Sequence, residues 1–431
     1  MKLRKFGLVV LSSTVLELVI VSCNHYTTPT AVWNPNQQYA TAGTIALVLP
    51  SNSAIAGVRE ITIIGKNFSK NIDSDWVWYD ADSAIVKSYS LTGPIDTIVV
   101  YRPANFGFNL YLKVVVPGAD SIGMYKYTIE QPVKSTDLSA SITGTSFVMT
   151  SGGGNNAGDT MWIATTGYVY EVLPGGAPPI AFKDTSYLKP KIGGVATDFG
   201  SPLMDMKMGP GGVLYATFNN PKTSNIIYRL DPDSSLPTAF ATIASPTKSV
   251  GYFDFDDNGN IYTGNSKGLY LVKQDGTYSS IGDYSSFTFF GVRVIKDASG
   301  DKFVYAANAH GLFRSPINSD GTVGSQQQVY NITADTSKLV AGSSITSFGV
   351  ASDGTVLISL SGTASYSLFE LENGTLTPYY HETTILPSGI KQLIWGNSRW
   401  LYLNTGGTTL YQMGVATESG TPLMGAPNLG L

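Results

Sequence analysis

The chain has 431 residues, of which 13% are charged, with 46 Gly, 25 Tyr and a formal net charge of −4. That length allows two or three domains. The composition, together with the lack of any long stretch spaced as an amphipathic helix, points to turn-rich, all-β structure. No basic cluster lies beyond Lys2–Lys5, so the positive footprint that nucleic acid requires is missing. Cys23 is the one cysteine, which excludes an intramolecular disulfide and cysteine-rich zinc sites, and the three histidines, His25, His310 and His381, form no HExxH.

Taken in order, the chain opens with Lys2, Arg4 and Lys5, then the mostly apolar run Phe6–Val21, too short and too interrupted for a membrane-spanning helix. The run ends Ile20-Val21-Ser22-Cys23, which resembles the lipobox of bacterial lipoproteins; Glu17, inside the apolar run, departs from the usual pattern. The resemblance implies a signal peptide over residues 1–22 and an acylated Cys23 as first residue of the mature chain, held to a membrane by its lipid anchor. Asn24, where Asp would signal inner-membrane retention, implies the outer membrane, with the face left open. Residues 23–43 are polar with Pro29 and Pro35 and read as a tether, spanning roughly 25 Å on average if flexible.

Residues 44–131 hold short apolar runs separated by turn residues: Ile61–Ser69, Asp75–Tyr79, Ile98–Tyr101, Leu110–Val116 and Tyr125–Ile129. Such spacing predicts an immunoglobulin-like sandwich. The order of runs, the turn Gly65-Lys66-Asn67-Phe68 after an early strand and Pro103 ending a middle one resemble an IPT/TIG domain over about 85 residues. The resemblance carries no catalytic motif and implies a spacer or binding module.

Residues 132–141 read as a junction, or else as an outer strand closing a ring of repeats. From 142 to 431 one hairpin recurs six times. Its first run is MWIA at Met161, LYAT at Leu214, IYTG at Ile261, VYAA at Val304, VLIS at Val356 and LYLN at Leu401. Its second is VYEV at Val169, IYRL at Ile227, LYLV at Leu269, LFRS at Leu312, LFEL at Leu368 and LYQM at Leu410. Measured at Trp162, Tyr215, Tyr262, Tyr305, Leu357 and Tyr402, the repeats are 53, 47, 43, 52 and 45 residues apart. Each hairpin comes after another short strand and a Gly, Asn-Gly or Asp-Gly turn, and a weaker fourth strand succeeds most copies. Four antiparallel strands at this period predict a six-bladed β-propeller, which resembles NHL-type and gluconolactonase-like propellers in pattern. A final edge strand is expected over Gly420–Leu431.

Several motifs invite chemistry. Asp254–Ile261 resembles the start of a calcium loop, but its twelfth position is Asn265 where a bidentate Glu is needed, and strands flank it. Gly264–Gly268 matches G-x-S-x-G, yet sits in a hairpin turn rather than between a strand and a helix. Asp205 and Asp254 lie on expected innermost strands. The gluconolactonase resemblance implies that inner-strand carboxylates hold a divalent metal in the channel and polarise a lactone; no matching Glu completes the set, and a solvated lining explains both residues as well. The hairpin turns offer Asn219, Asn265, Asn308 with His310, and Asn404, which cluster on one face if the sheets share an axis. Asn suits sugar hydroxyls or peptide groups, and it is also common in turns for its backbone tolerance. Trp395 and Trp400 could add stacking surface or serve packing.

The expectation is therefore an outer-membrane lipoprotein with no catalytic residue and no cofactor, whose propeller face binds a glycan or an envelope protein. The alternative is a metal-dependent hydrolase, lactonase or lyase using a divalent cation at Asp205 and Asp254. A third reading is a purely structural spacer.

Overall fold

The computed structural model describes residues 38–415 apart from short internal stretches, chiefly 70–75, 139–147, 152–159, 173–179, 197–202, 219–224, 245–249, 381–385 and 396–399. Cys23, Asn219 and the strand expected over Gly420–Leu431 lie outside the described residues. The architecture is all-β, with a two-sheet sandwich followed by six four-stranded sheets.

In the sandwich, one sheet runs Thr44–Leu49, Glu60–Lys66, Ile95–Tyr101, Val86–Thr92 in spatial order. The other sets Gly107–Val115 between Trp76–Tyr79 and Gly123–Glu130, and Ser53–Ile55 joins Gly123–Glu130 in parallel. Side chains alternate across each strand: Ile61, Ile63, Ile98 and Val100 from the first sheet meet Leu112, Val114, Tyr127 and Ile129 from the second, all buried. The Gly65–Phe68 turn has a physical cause. A Cβ on Gly65 would lie 2.0 Å from the Thr44 carbonyl oxygen and 2.5 Å from the Phe68 ring. Asn67 takes the left-handed conformation at φ 59°, and this swings Phe68 back into the core, 6% exposed.

Two strands of this sheet, Thr44–Leu49 and Val86–Thr92, are not among the runs expected from sequence. Both are edge strands. Val86–Thr92 has a bulge between Val86 and Ser88 that breaks the alternation, so of its residues Val86 and Tyr89 pack on the core while Lys87 faces water.

In each of the next six sheets the first strand leads into the recurring hairpin. The inner strands are Val148–Ser151, Leu203–Met208, Phe253–Phe255, Gly291–Lys296, Ser344–Val350 and Gln392–Trp395. Consecutive inner strands lie side by side, and Val148–Ser151 is beside both Leu203–Met208 and Gln392–Trp395, so the circuit closes. The sixth sheet draws its outer strand from Val133–Asp137, which pairs with Thr409–Gly414, so of the two readings of this stretch the outer strand is the one found. The arrangement is propeller-like.

The recurring aromatic has its origin in packing. Trp162, Tyr215, Tyr262, Tyr305, Leu357 and Tyr402 each point into the apolar cluster shared with the following sheet. Their neighbours in the same strands, such as Ala216, Ala306, Ile358 and Leu403, pack against the preceding sheet. A strand buried on both faces reads as a continuous apolar run, and that is what makes the six hairpins visible in sequence. The cluster of Met161, Ile163 and Tyr170 with Ile394, Tyr402 and Leu410 joins the first sheet to the last.

The sandwich rests on the fifth and sixth sheets. Ile55 and Val58 are buried with Ala351, Leu357, Tyr379 and Tyr380, and Arg59 reaches Glu370 at 2.7 Å.

Candidate functional site at the mouth of the ring

Strand register aligns the inner strands. Lys207, Asp254, Arg293, Gly349 and Ile394 lie opposite Tyr215, Tyr262, Tyr305, Leu357 and Tyr402, and so occupy one level of the axis. Two residues earlier, Asp205, Tyr252, Gly291, Ser347 and Gln392 make up a second level, nearer the start of each strand. A cavity of about 130 Å³ opens there, lined by this second level with Met204, Phe290, Lys391 and Asn404, and reached by Arg293 from the level beyond.

The two carboxylates on the axis hold the sheets together. Asp205 Oδ2 accepts from the Phe253 N–H of the next sheet at 3.2 Å, while its Oδ1 accepts from Met206 N–H at 3.0 Å and from Lys207 Nζ at 2.7 Å. Asp254 does likewise one sheet on: Oδ2 accepts from Val294 N–H and Oδ1 from Phe255 N–H, both at 3.0 Å. Ser347 repeats the device with a hydroxyl, Oγ accepting from Leu393 N–H at 3.1 Å. Each acceptor thus satisfies a buried main-chain donor on the neighbouring inner strand, which would otherwise be left without a partner.

Burial shapes the charges. Lys207 is pushed below the usual lysine range by desolvation and by repulsion from Arg293, which attraction to Asp205 and Asp254 only partly offsets. Asp254 is raised above the usual carboxylate range by desolvation, against the pull of Arg293, Lys207 and its two N–H donors.

Arg293 is placed differently. Its Nη1 donates to its neighbour's carbonyl, Val292 O, at 2.8 Å, and Nη2 reaches Leu393 O of the sixth sheet at 3.5 Å. The level between them on the fifth sheet is Gly349, which presents no side chain; a Cβ there would meet the Trp395 ring at 3.1 Å. The guanidinium therefore passes over the fifth inner strand at Gly349 to reach the sixth sheet. It has no carboxylate partner among the described residues, and nor has Lys391, which is exposed at the rim.

The hairpin asparagines fall at the same end of the ring as this cavity. Asn404 is opposite Gln392, is 3% exposed and lines the cavity, with Oδ1 accepting from Gly406 N–H at 2.7 Å. Asn308 Oδ1 accepts from His310 N–H at 2.9 Å and Gly311 N–H at 2.8 Å, a turn-forming role; His310 itself is exposed. Asn265 is buried at the end of its strand, 3% exposed. Among the described hairpin asparagines, Asn404 alone lines the cavity. Trp395 is buried in an apolar cluster, 4% exposed, as packing demands.

The other motifs are structural. Asp256 Oδ1 accepts from Asn258 N–H at 2.9 Å and Asn260 N–H at 2.8 Å, and Oδ2 accepts from Asn260 Nδ2 at 2.9 Å. The calcium-like loop is a strand turn, and the same turn recurs at Asp297 with Ser299 and Asp301. The G-x-S-x-G stretch joins the antiparallel strands Ile261–Asn265 and Gly268–Val272. Among the described residues no three His, Cys, Asp or Glu side chains gather as metal ligands would.

Reading by residue type missed Tyr252, Phe290, Arg293, Ser347, Lys391 and Gln392. The signal was in the repeat: aligning the inner strands on the hairpin aromatics sets Arg293 level with Asp254.

No family model matches the chain, and no curated protein matches it. Among solved structures it is similar to a Bacteroides thetaiotaomicron protein of unknown function, 16% identical over 90% of this chain and 100% of that one, with TM-score 0.45. It is similar also to an auxiliary nutrient binding protein from Bacteroides ovatus, 13% identical over 89% and 100%, TM-score 0.41. A third is a gluconolactonase from Xanthomonas campestris, 11% identical over 66% and 90%, TM-score 0.45. Scores of this size carry no functional argument, and the architecture rests on the strand pairing above.

Proposed function

We propose that the chain is an outer-membrane lipoprotein anchored through an acylated Cys23, with an IPT/TIG-type sandwich carrying a six-bladed propeller of the NHL and gluconolactonase pattern. The propeller binds and does not catalyse, and its ligand is a glycan or a protein of the cell envelope. The observation that carries this reading is the cavity at the mouth of the ring. Asn404 and Gln392 offer amide groups suited to hydroxyls, and Tyr252 and Phe290 supply ring surface, while the buried carboxylates, Asp205 in the lining and Asp254 one level beyond, hold neighbouring strands.

A glycan array and a pull-down from envelope proteins test it together. Retention of a glycan or an envelope protein, weakened by Gln392→Ala, is the expected result; two blank results overturn the reading. The anchor is tested by metabolic labelling with an alkyne fatty acid, with label expected on the parent and lost in Cys23→Ser.

The alternative, a divalent-metal lactonase or lyase, has in its favour two carboxylates on the axis. It requires them to exchange Lys207 and main-chain N–H donors for a cation. Elemental analysis of purified protein separates the readings: a stoichiometric divalent ion lost in Asp254→Asn favours the enzyme.

A further inference from the structure

Charge at the mouth narrows the ligand, given the glycan reading above. Among the described residues, the charged groups on or beside the axis are the carboxylates Asp205 and Asp254 and the cations Lys207, Arg293 and Lys391. Lys207 is 2.7 Å from Asp205 and sealed off, with side-chain exposures of 6% and 1%. Asp254 faces two main-chain N–H groups. Arg293 attracts Asp254 through space, but neither it nor Lys391, the cations that meet the cavity, makes a direct ion pair with any described residue.

We infer that the mouth of the ring takes a sugar bearing a carboxylate, a uronic acid at the end of a glycan, with the carboxylate on Arg293 and Lys391 and the ring hydroxyls toward Asn404 and Gln392. Three features support it. The Arg293 guanidinium has five N–H donors, of which the carbonyls of Val292 and Leu393 occupy two and tether it between the fourth and sixth sheets; the donors that remain can fork onto a carboxylate. Among the described residues that line the cavity, Arg293 and Lys391 stand against Asp205, and that surplus of one positive charge suits a monoanion better than a phosphate dianion. The cavity, about 130 Å³, is small beside the roughly 300–1,000 Å³ of pockets for larger ligands, so it admits a terminal ring and not the middle of a chain.

The test is calorimetric titration of the full mature chain with disaccharides ending in glucuronate or galacturonate. Controls are the matched glucose- or galactose-ended disaccharides, a sugar phosphate, and a peptide with a free carboxyl terminus. The uronate-ended sugars are expected to bind roughly tenfold or more tighter than their neutral partners, since a charge-assisted hydrogen bond is lost without the carboxylate. That ratio should fall to near one in Arg293→Gln, shrink in Lys391→Gln and shrink again in high salt. Lys391 is exposed, so its variant keeps the test sound if Arg293→Gln fails to fold. Equal binding of acidic and neutral sugars overturns the inference and leaves the glycan reading standing. Tighter binding of the sugar phosphate, or equal binding of the peptide, overturns the choice of a uronate. No sugar bound at all, with an envelope protein retained instead, overturns inference and glycan reading together.

Discussion

The sandwich and the ring bury their apolar residues in opposite ways. In the sandwich each strand gives one face to a single core, as with Ile61 and Ile63 against Leu112 and Val114. In the ring the hairpin strands are covered on both faces, Tyr215 toward the third sheet and Ala216 toward the first. The ring therefore has little room for a solvated side chain in its middle strands. Its polar chemistry is pushed to the turns and the axis, where buried polar groups must find partners. Asp205, Asp254 and Ser347 are the result: three acceptors clasping three neighbouring inner strands.

If that contrast holds, the largest loss of stability comes from breaking a clasp. Asp205→Ala strands the Lys207 ammonium and the Phe253 N–H in a buried site and is expected to cost about 3–5 kcal/mol, measured by urea denaturation. Hydrogen exchange should show the loss in the ring and leave the sandwich strands protected.

Closure of the ring ranks next. Leu138, 3% exposed, comes just after the outer strand of the sixth sheet and packs with Met161, Ile163 and Tyr402. Leu138→Ala is expected to cost about 2–4 kcal/mol, with faster exchange in both the first and sixth sheets. A loss confined to one of them would break the picture of a closed circuit.

In the sandwich the matching test is Gly65→Ala. The added Cβ collides with the Thr44 carbonyl and the Phe68 ring, at a cost of about 1–3 kcal/mol from overpacking. Here exchange should rise in Thr44–Leu49 and leave the ring unchanged.

The smallest effect is expected where the two regions touch. Glu370 pairs with Arg59, yet desolvation raises its carboxyl above the usual range despite that pairing. A raised folded-state value means its contribution to stability is full below the unfolded carboxylate range and fades as pH rises through the folded value. Glu370→Gln is therefore expected to be neutral to slightly stabilising at pH 7, with the difference from the parent vanishing in acid. A variant clearly less stable than the parent at pH 7 would contradict the sign.

The same contrast explains what could be read from sequence. All six hairpins and their inner strands were legible because burial on both faces leaves continuous apolar runs at a repeating interval. The Gly65–Phe68 turn was legible because few residues can serve its crowded first position and left-handed third. Val86–Thr92 was not, because a bulged edge strand with a wet face lacks clean alternation. At the site, Asp205, Asp254 and Asn404 were visible as polar residues on inner strands or turns. The roles of the carboxylates were not, since whether a carboxylate meets a cation or an N–H depends on the neighbouring strand. Arg293 went unnoticed because its value lies in crossing over Gly349, a relation between sheets that no local pattern encodes.

The central claim is that the polar groups of the axis divide into those that hold the ring and those that meet a ligand. The most direct measurement is the melting temperature of Arg293→Gln beside its affinity for a uronate-ended disaccharide. The account predicts melting close to the parent's, with affinity for the uronate-ended sugar reduced to that for its neutral partner. A variant that melts far below the parent while binding the sugar as tightly would contradict it.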